Sequence, residues 1–126
     1  MPPLSVLYVD DDPDIRELVS LSLELDGAIQ VNTASGGRDA LAQLDAGLTP
    51  DIILTDVMMP DVDGPTTLAA IRERGHLDAV PVVFLTARAL ESERERFLAM
   101  GAMAVIIKPF DPMTLAAQVR RLHART

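Results

Sequence analysis

Residues 4–15 read LSVLYVDDDPDI: six residues suited to a strand, three adjacent aspartates, a proline, and the start of a helical pattern. Asp12-Pro13 is a helix-start signal, because an aspartate carboxylate accepts from the first free amides and proline tolerates the first turn. The stretch therefore reads as strand, loop and helix in quick succession. It also poses an electrostatic question, since Asp10, Asp11 and Asp12 set three negative charges side by side.

The same unit recurs along the chain. Five short apolar runs, LSVLYV, AIQVNT, DIILT, VPVVFLT and AMAVII, have strand length, and most are rich in Val and Ile. Four of them are nearly continuous in apolar character, as expected of parallel strands covered on both faces. Helical patterns lie between the runs. Ile15, Leu18, Val19 and Ser22 share one face of the first, and Leu21 and Leu25 widen it. Ala40, Leu41 and Leu44 mark the second, Leu68 and Ile71 the third, Phe97 and Leu98 the highly charged fourth, and Leu115, Val119 and Leu122 the last. Gly64-Pro65 opens the third helix, and Gly27 and Gly101 sit where helices should stop. Gly36-Gly37 reads as a turn, because no Lys-Ser/Thr pair follows to make a phosphate loop. The alternation predicts an α/β fold of (βα)5 type, a doubly wound parallel sheet with helices on both faces.

With 126 residues, of which 48% are hydrophobic, the chain is expected to form one globular domain over 1–126. It has no Cys, which excludes a disulfide framework, a thiol nucleophile and a Cys-based zinc site. The start MPPLSVLY lacks the charge of a signal peptide, and no apolar run approaches the roughly 20 residues that span a bilayer. A soluble, cytoplasmic protein with no membrane partner is expected. The net charge of −8 argues against binding nucleic acid through this chain. Residues 1–87 carry four basic and fifteen acidic groups, whereas residues 88–126 carry seven and four. That asymmetry fits either ordinary surface charge on two helices or a contact face with its own polarity.

In sheets of this kind, ligands bind beyond the carboxyl ends of the strands. Four apolar runs end there in a polar residue: Asp10 and Asp11 after the first, Asp56 after the third, Thr86 after the fourth, Lys108 after the fifth. The fold gathers these ends at one rim. Two carboxylates about 4 Å apart repel by about 4 kcal/mol at an effective dielectric of about 20. Keeping three ionised together calls for a cation, and an all-oxygen site without His or Cys suits Mg²⁺ or Mn²⁺ better than zinc. Lys108 adds a mobile charge that suits phosphate, and Thr86 adds a hydroxyl. Metal, carboxylate nucleophile, ammonium and hydroxyl together describe a site for transferring a phosphoryl group to an aspartate. Calcium loops do not fit: one starting at Asp10 puts Ile15 where Gly is needed and Leu21 where Glu is needed. One starting at Met59 lacks its first ligand and ends on Ala70.

The segments VLYVDDDPDIRELV, PDIILTDVMMPDVDG, VPVVFLTA and IIKPF, in that order and spacing, resemble the chemotaxis-type receiver domain of two-component response regulators over nearly the whole chain. The resemblance implies a flavodoxin-like sheet in the order 2-1-3-4-5 and makes Asp56 the phosphoacceptor. Asp11 would be a direct Mg²⁺ ligand, with Asp10 assisting, partly through water, and the backbone carbonyl of Met58 completing the set. Thr86 and the backbone amide of Ala87 would contact the phosphoryl oxygens, Lys108 would pair with them, and the Lys108-Pro109 bond would be cis. Met58 and Arg88 would flank the path of attacking water and set phosphoryl lifetime. Val105 stands where many receivers carry a switching Tyr or Phe, so Thr86 and the loop from Arg88 into the fourth helix are expected to carry the switch. The donor would be a phosphohistidine of a sensor histidine kinase or histidine phosphotransfer protein, or a small acyl phosphate. His76 and His123 match no donor motif. An output partner, or a second copy of the chain, would engage the face formed by residues 88–126.

The protein is thus expected to be a signalling domain rather than an enzyme, with self-catalysed aspartyl phosphorylation and dephosphorylation as its only chemistry. The sequence is expected to hold no DNA-binding or enzymatic output domain. A haloacid dehalogenase-type phosphatase is the enzymatic alternative. Its Asp-x-Asp-x-Thr/Val motif aligns with Asp10 and Asp12 but meets Asp14 at the last position, and it leaves Asp56 without a role. The other alternative is a receiver-like interaction module that is never phosphorylated.

Overall fold

Strand and helix alternate without exception in the computed structural model, which describes residues 3–88 and 90–126. The first two residues of the uncharged start and Ala89, in the loop expected to carry the switch, lie outside the described residues. The order is β1 (Leu4–Val9), α1 (Pro13–Glu24), β2 (Ile29–Ala34), α2 (Gly37–Asp45), β3 (Ile52–Asp56), α3 (Gly64–Arg72), β4 (Val82–Thr86), α4 (Glu91–Ala99), β5 (Ala104–Ile107) and α5 (Pro112–Ala124). All strand pairs are parallel, and the sheet runs β2-β1-β3-β4-β5.

Sheet position explains which runs look continuously apolar. Every residue of the inner strands β3 and β4 is buried, and the third inner strand, β1, is buried from Val6 onward. The edge strands β2 and β5 expose Gln30 and Ile107, and the polar residues of AIQVNT are tolerated because one side of β2 has no neighbouring strand. Side chains alternate between faces with period two. Val6, Tyr8, Ile52, Leu54, Val83, Leu85 and Ile106 pack with Val19 and Leu23 of α1 and Leu115 and Val119 of α5. Leu7, Val9, Ile53, Val82 and Phe84 pack with Ala40 and Leu44 of α2, Leu68 and Ile71 of α3, and Phe97 of α4. Two helices therefore cover one face and three the other.

Aspartates start three of the helices. Asp12 accepts from Asp14 N at 2.9 Å, Asp63 from Thr66 N at 2.8 Å, and Asp111 from Met113 N at 2.9 Å. In each case a proline follows in the first turn, where its missing amide costs nothing. Gly101 follows α4 with φ of 109°, as expected of a helix stop, whereas α1 ends at Glu24, short of Gly27, whose φ is not positive.

The apolar face of α1 differs from the one the sequence predicts. Val19 and Leu23 are buried, while Leu18, Leu21 and Leu25 are 45%, 59% and 76% exposed. The helix is rotated so that the i, i+4, i+8 row of Ile15, Val19 and Leu23 meets the sheet and α5. Leu23→Ala should therefore destabilise the protein by about 2–5 kcal/mol. Leu25→Ala, at the cap just past the end of α1, should change stability by less than about 0.5 kcal/mol. Urea unfolding curves for both variants check this.

Candidate functional site

Parallel register brings the carboxylates together. Tyr8 pairs with Leu54 and Val9 with Thr55, so β1 and β3 end level with each other. Asp10 lies two residues beyond Tyr8, and Asp56 two beyond Leu54. Both therefore leave the sheet on the face covered by α1 and α5. Lys108, two residues beyond Ile106, comes to the same face from the far edge.

There Lys108 Nζ lies 3.0 Å from Asp56 Oδ2 and 3.3 Å from Asp10 Oδ2. Asp10 is 1% exposed and Asp56 8% exposed, so neither charge can rely on water. Asp10 Oδ2 also accepts from the Tyr8 hydroxyl at 2.8 Å, and Oδ1 accepts from Asp12 N at 3.0 Å. Asp11 points outward and is exposed, yet it offers a carboxylate oxygen within 4.8 Å of oxygens from Asp10 and Asp56. Asp12 is spent on the helix cap. Three adjacent aspartates thus take three separate positions.

Burial raises the pKa of Asp56 above the usual carboxylate value, more than the hydrogen bond and charge of Lys108 lower it. For Lys108, burial acts downward, but the hydrogen bond and charge of Asp56, together with Asp10, hold the ammonium above its ordinary pKa. Burial, reinforced by Asp10, pushes the Tyr8 phenol far upward, so it stays protonated. All available donors to a cation here are carboxylate or carbonyl oxygens, and a cationic group already bridges two of them. That set fits a hard divalent cation.

The remaining predicted residues lie around this cluster without bonding to it. Thr86, buried at the end of β4, is on the opposite face of the sheet, and its Oγ1 accepts from Arg88 N at 3.2 Å. The Arg88 guanidinium pairs with Glu93 of α4 at 3.2 Å. Met58 turns a side chain that is 77% exposed to the rim. Ala87 lines an apolar groove with Ile15, Leu18, Pro109 and Phe110. Val105 stands opposite Phe84 in β4 and packs on the cluster where Phe84 and Phe97 meet edge to face, centroids 5.2 Å apart. The Lys108-Pro109 bond is cis.

Two contributors were not singled out from the sequence, and a third, Gly64, was read only as a helix start. Tyr8 holds Asp10, and the strand period could have shown that the two share a face. Arg16 donates to the Asp10 carbonyl at 2.7 Å, a contact between α1 and the loop before it that no motif marks. A Cβ on Gly64 would lie 2.8 Å from the Asp56 carbonyl oxygen, so a glycine is needed where α3 begins against that loop.

Residues 6–120 match the response regulator receiver domain family. The response regulator Rre1 of Synechocystis sp. is 42% identical over 123 residues, which cover 98% of this chain and 53% of that protein. The transcriptional regulatory protein TrcR of Mycobacterium tuberculosis is 38% identical over 124 residues, 98% of this chain and 47% of that protein. The chain spans about half the length of these two curated relatives. Among solved structures, the chemotaxis response regulator CheY4 of Vibrio cholerae superposes with a TM-score of 0.87 at 34% identity, covering 95% of this chain and 98% of that one. Among the described residues no helix is long and apolar enough to cross a membrane. The match along the chain and the shared sheet order place it in the response regulator receiver domain family of two-component signalling.

Proposed function

We propose that this receiver domain accepts a phosphoryl group on Asp56, from a phosphohistidine of a sensor kinase or histidine phosphotransfer protein or from a small acyl phosphate. The observation that carries this reading is the ammonium of Lys108 held 3.0 Å from a mostly buried Asp56 inside a three-carboxylate cluster. An oxygen of Asp56 attacks phosphorus as the donor's P–N bond breaks. The electron pair of that bond stays on the imidazole nitrogen, which takes up a proton from solvent. Asp11 and Asp56, with Asp10 partly through water and the carbonyl of Met58, would hold Mg²⁺ or Mn²⁺, whose charge neutralises the phosphoryl oxygens.

The chain's own residues do the rest. Lys108 moves from the carboxylates to a phosphoryl oxygen, which carries more charge. Thr86 and the amide of Ala87 supply further donors. Thr86, whose hydroxyl accepts from Arg88 N and keeps its own proton to donate, turns toward the phosphoryl oxygen, and the loop leading to α4 moves with it. Val105 has one χ angle and little reach, so it takes no ring swing to the space behind Thr86. Met58 and Arg88, at the rim, screen the bound phosphoryl from water. The face built by α4, β5 and α5 presents the change to an output partner or to a second copy of the chain.

Incubation with acetyl phosphate and Mg²⁺ should add one phosphoryl group to the wild-type protein and none to Asp56→Asn, as read by intact mass. Equal labelling of the two would refute the assignment, whereas no labelling of either would leave an unphosphorylated interaction module as the better reading.

Mg²⁺ should raise the melting temperature relative to EDTA, by about 2.7 kcal/mol of stabilisation at a hundredfold excess over Kd. In Asp11→Asn the shift should shrink, while the EDTA melt stays level or rises because repulsion is relieved. A Mg²⁺ shift as large as in wild type contradicts the ligand role.

Beryllofluoride, a phosphoryl mimic, should produce large amide NMR shifts across residues 86–101 that survive Val105→Ala and diminish in Thr86→Ala. Loss of the shifts in Val105→Ala alone would overturn this route.

A further inference from the structure

Asp10 Oδ2 is shared by two donors of different kinds. The Tyr8 phenol reaches it at 2.8 Å from within the core, and the Lys108 ammonium at 3.3 Å from the rim. Lys108 also reaches Asp56 Oδ2 at 3.0 Å. The phenol is fully buried and fixed at the ring by the packing of β1, β3, α1 and α5. The ammonium ends a flexible chain. A carboxylate that is 1% exposed and loses a donor is strongly destabilised unless another donor, or a water carried by a bound cation, takes its place. Any movement of Lys108 toward Asp56 therefore depends on what still satisfies Asp10.

Resting on the reading that Asp56 takes the phosphoryl group, we propose that Tyr8 is a positioning residue. Its hydroxyl is a standing donor to Asp10, and this releases Lys108 to follow the phosphoryl group. Tyr8 touches neither the phosphoryl group nor Asp56; it acts through Asp10. Without the hydroxyl, Asp10 Oδ2 retains only Lys108 as a side-chain donor, and the ammonium is held back. Asp10 also loses the bond that fixes its carboxylate plane, which leaves Asp12 N on Oδ1 as the only other anchor.

The sequence supplies one probe for each end of this arrangement. Tyr8 is the only tyrosine and there is no tryptophan, so tyrosine emission reports on Tyr8 alone. Lys108 is the only lysine, so lysine labelled with ¹⁵N at the ζ position gives one side-chain signal. In wild-type protein with Mg²⁺, beryllofluoride should move the Lys108 signal while Tyr8 emission stays at the quenched level of a phenol bonded to carboxylate. A rise to the level of a free phenol would show that the bond breaks and would overturn the proposal. Tyr8→Phe, checked for a cooperative melt, should bind beryllofluoride about tenfold more weakly, the size expected for one hydrogen bond to a charged group. Its Lys108 signal should also respond less at saturation. Affinity within twofold of wild type, with an unchanged Lys108 response, would refute the role. If Tyr8→Phe does not fold, the two wild-type signals alone decide. Failure of wild type to bind beryllofluoride would instead remove the phosphoacceptor reading itself.

Discussion

One ammonium group between two buried carboxylates is the constraint on which the site depends. Asp10 and Asp56 cannot both stay charged in so dry a place without a nearby cation, since ions taken out of water cost several kcal/mol each when unpaired. Lys108 Nζ, at 3.3 and 3.0 Å, meets that need. It can do so only because the strand register sets three chain segments level. Asp10 and Lys108 are 98 positions apart in sequence, yet the parallel sheet brings their ends to one rim. A slip of one residue in β1 would turn Asp10 to the opposite face and put Val9 at the cluster. The packing of Val6 and Tyr8 against α1 and α5 is what forbids that slip. Core packing and site electrostatics are therefore one problem.

The crowding of Asp10, Asp11 and Asp12 resolves through geometry before any ion is considered. Strand alternation sends Asp10 inward. Asp11 projects into solvent at the cluster's outer side, where water screens it. Asp12 turns its carboxylate to Asp14 N and Ile15 N, where a negative charge at a helix start is favourable. What remains for a divalent cation is the set Asp10, Asp11 and Asp56. The cap, the outer carboxylate and the buried anchor come from three consecutive residues because the chain passes there from strand to helix.

Much of this was legible in the sequence, for a physical reason. Inner strands buried on both faces must be apolar throughout, so IILT and VVFL stand out and fix the polar residues that end them. Asp56 and Thr86 follow from that alone, and Lys108 from the apolar run AMAVII at the edge. The α1 face was harder, because leucines occupy positions 18, 21, 23 and 25 and periodicity cannot choose between overlapping rows; contact with α5 and β1 chooses Val19 and Leu23. Tyr8 escaped notice because a tyrosine in an apolar strand looks like core, which it also is. Its hydroxyl matters only once Asp10 is known to face the same way. The Asp63 and Asp111 caps carry the same Asp-then-Pro signal as Asp12, and both could have been read from it.

The two faces of the sheet divide the work of such a site. On the α1 and α5 face stand Tyr8, Asp10, Asp56 and Lys108, where charge is stored and held. On the other face stand Thr86 and, behind it, Val105 on the Phe84–Phe97 pair. In the proposed switch Thr86 is the strand-end residue through which a charge arriving on one face reaches the other, because among the described residues its hydroxyl is engaged only by the amide of Arg88, within a loop, at 3.2 Å. The hydroxyl accepts in that bond and keeps its own proton to donate, and charged acceptors bind donors about twice as strongly as neutral ones. The packed Phe84–Phe97 edge-to-face contact is far less free to move. On the proposed phosphorylation of Asp56, displacement would be directed along the chain, from Thr86 through Arg88 and its partner Glu93 into α4, rather than through the core. A valine at position 105 is compatible with that route, for the route needs a loop that can give way and a core behind it that does not.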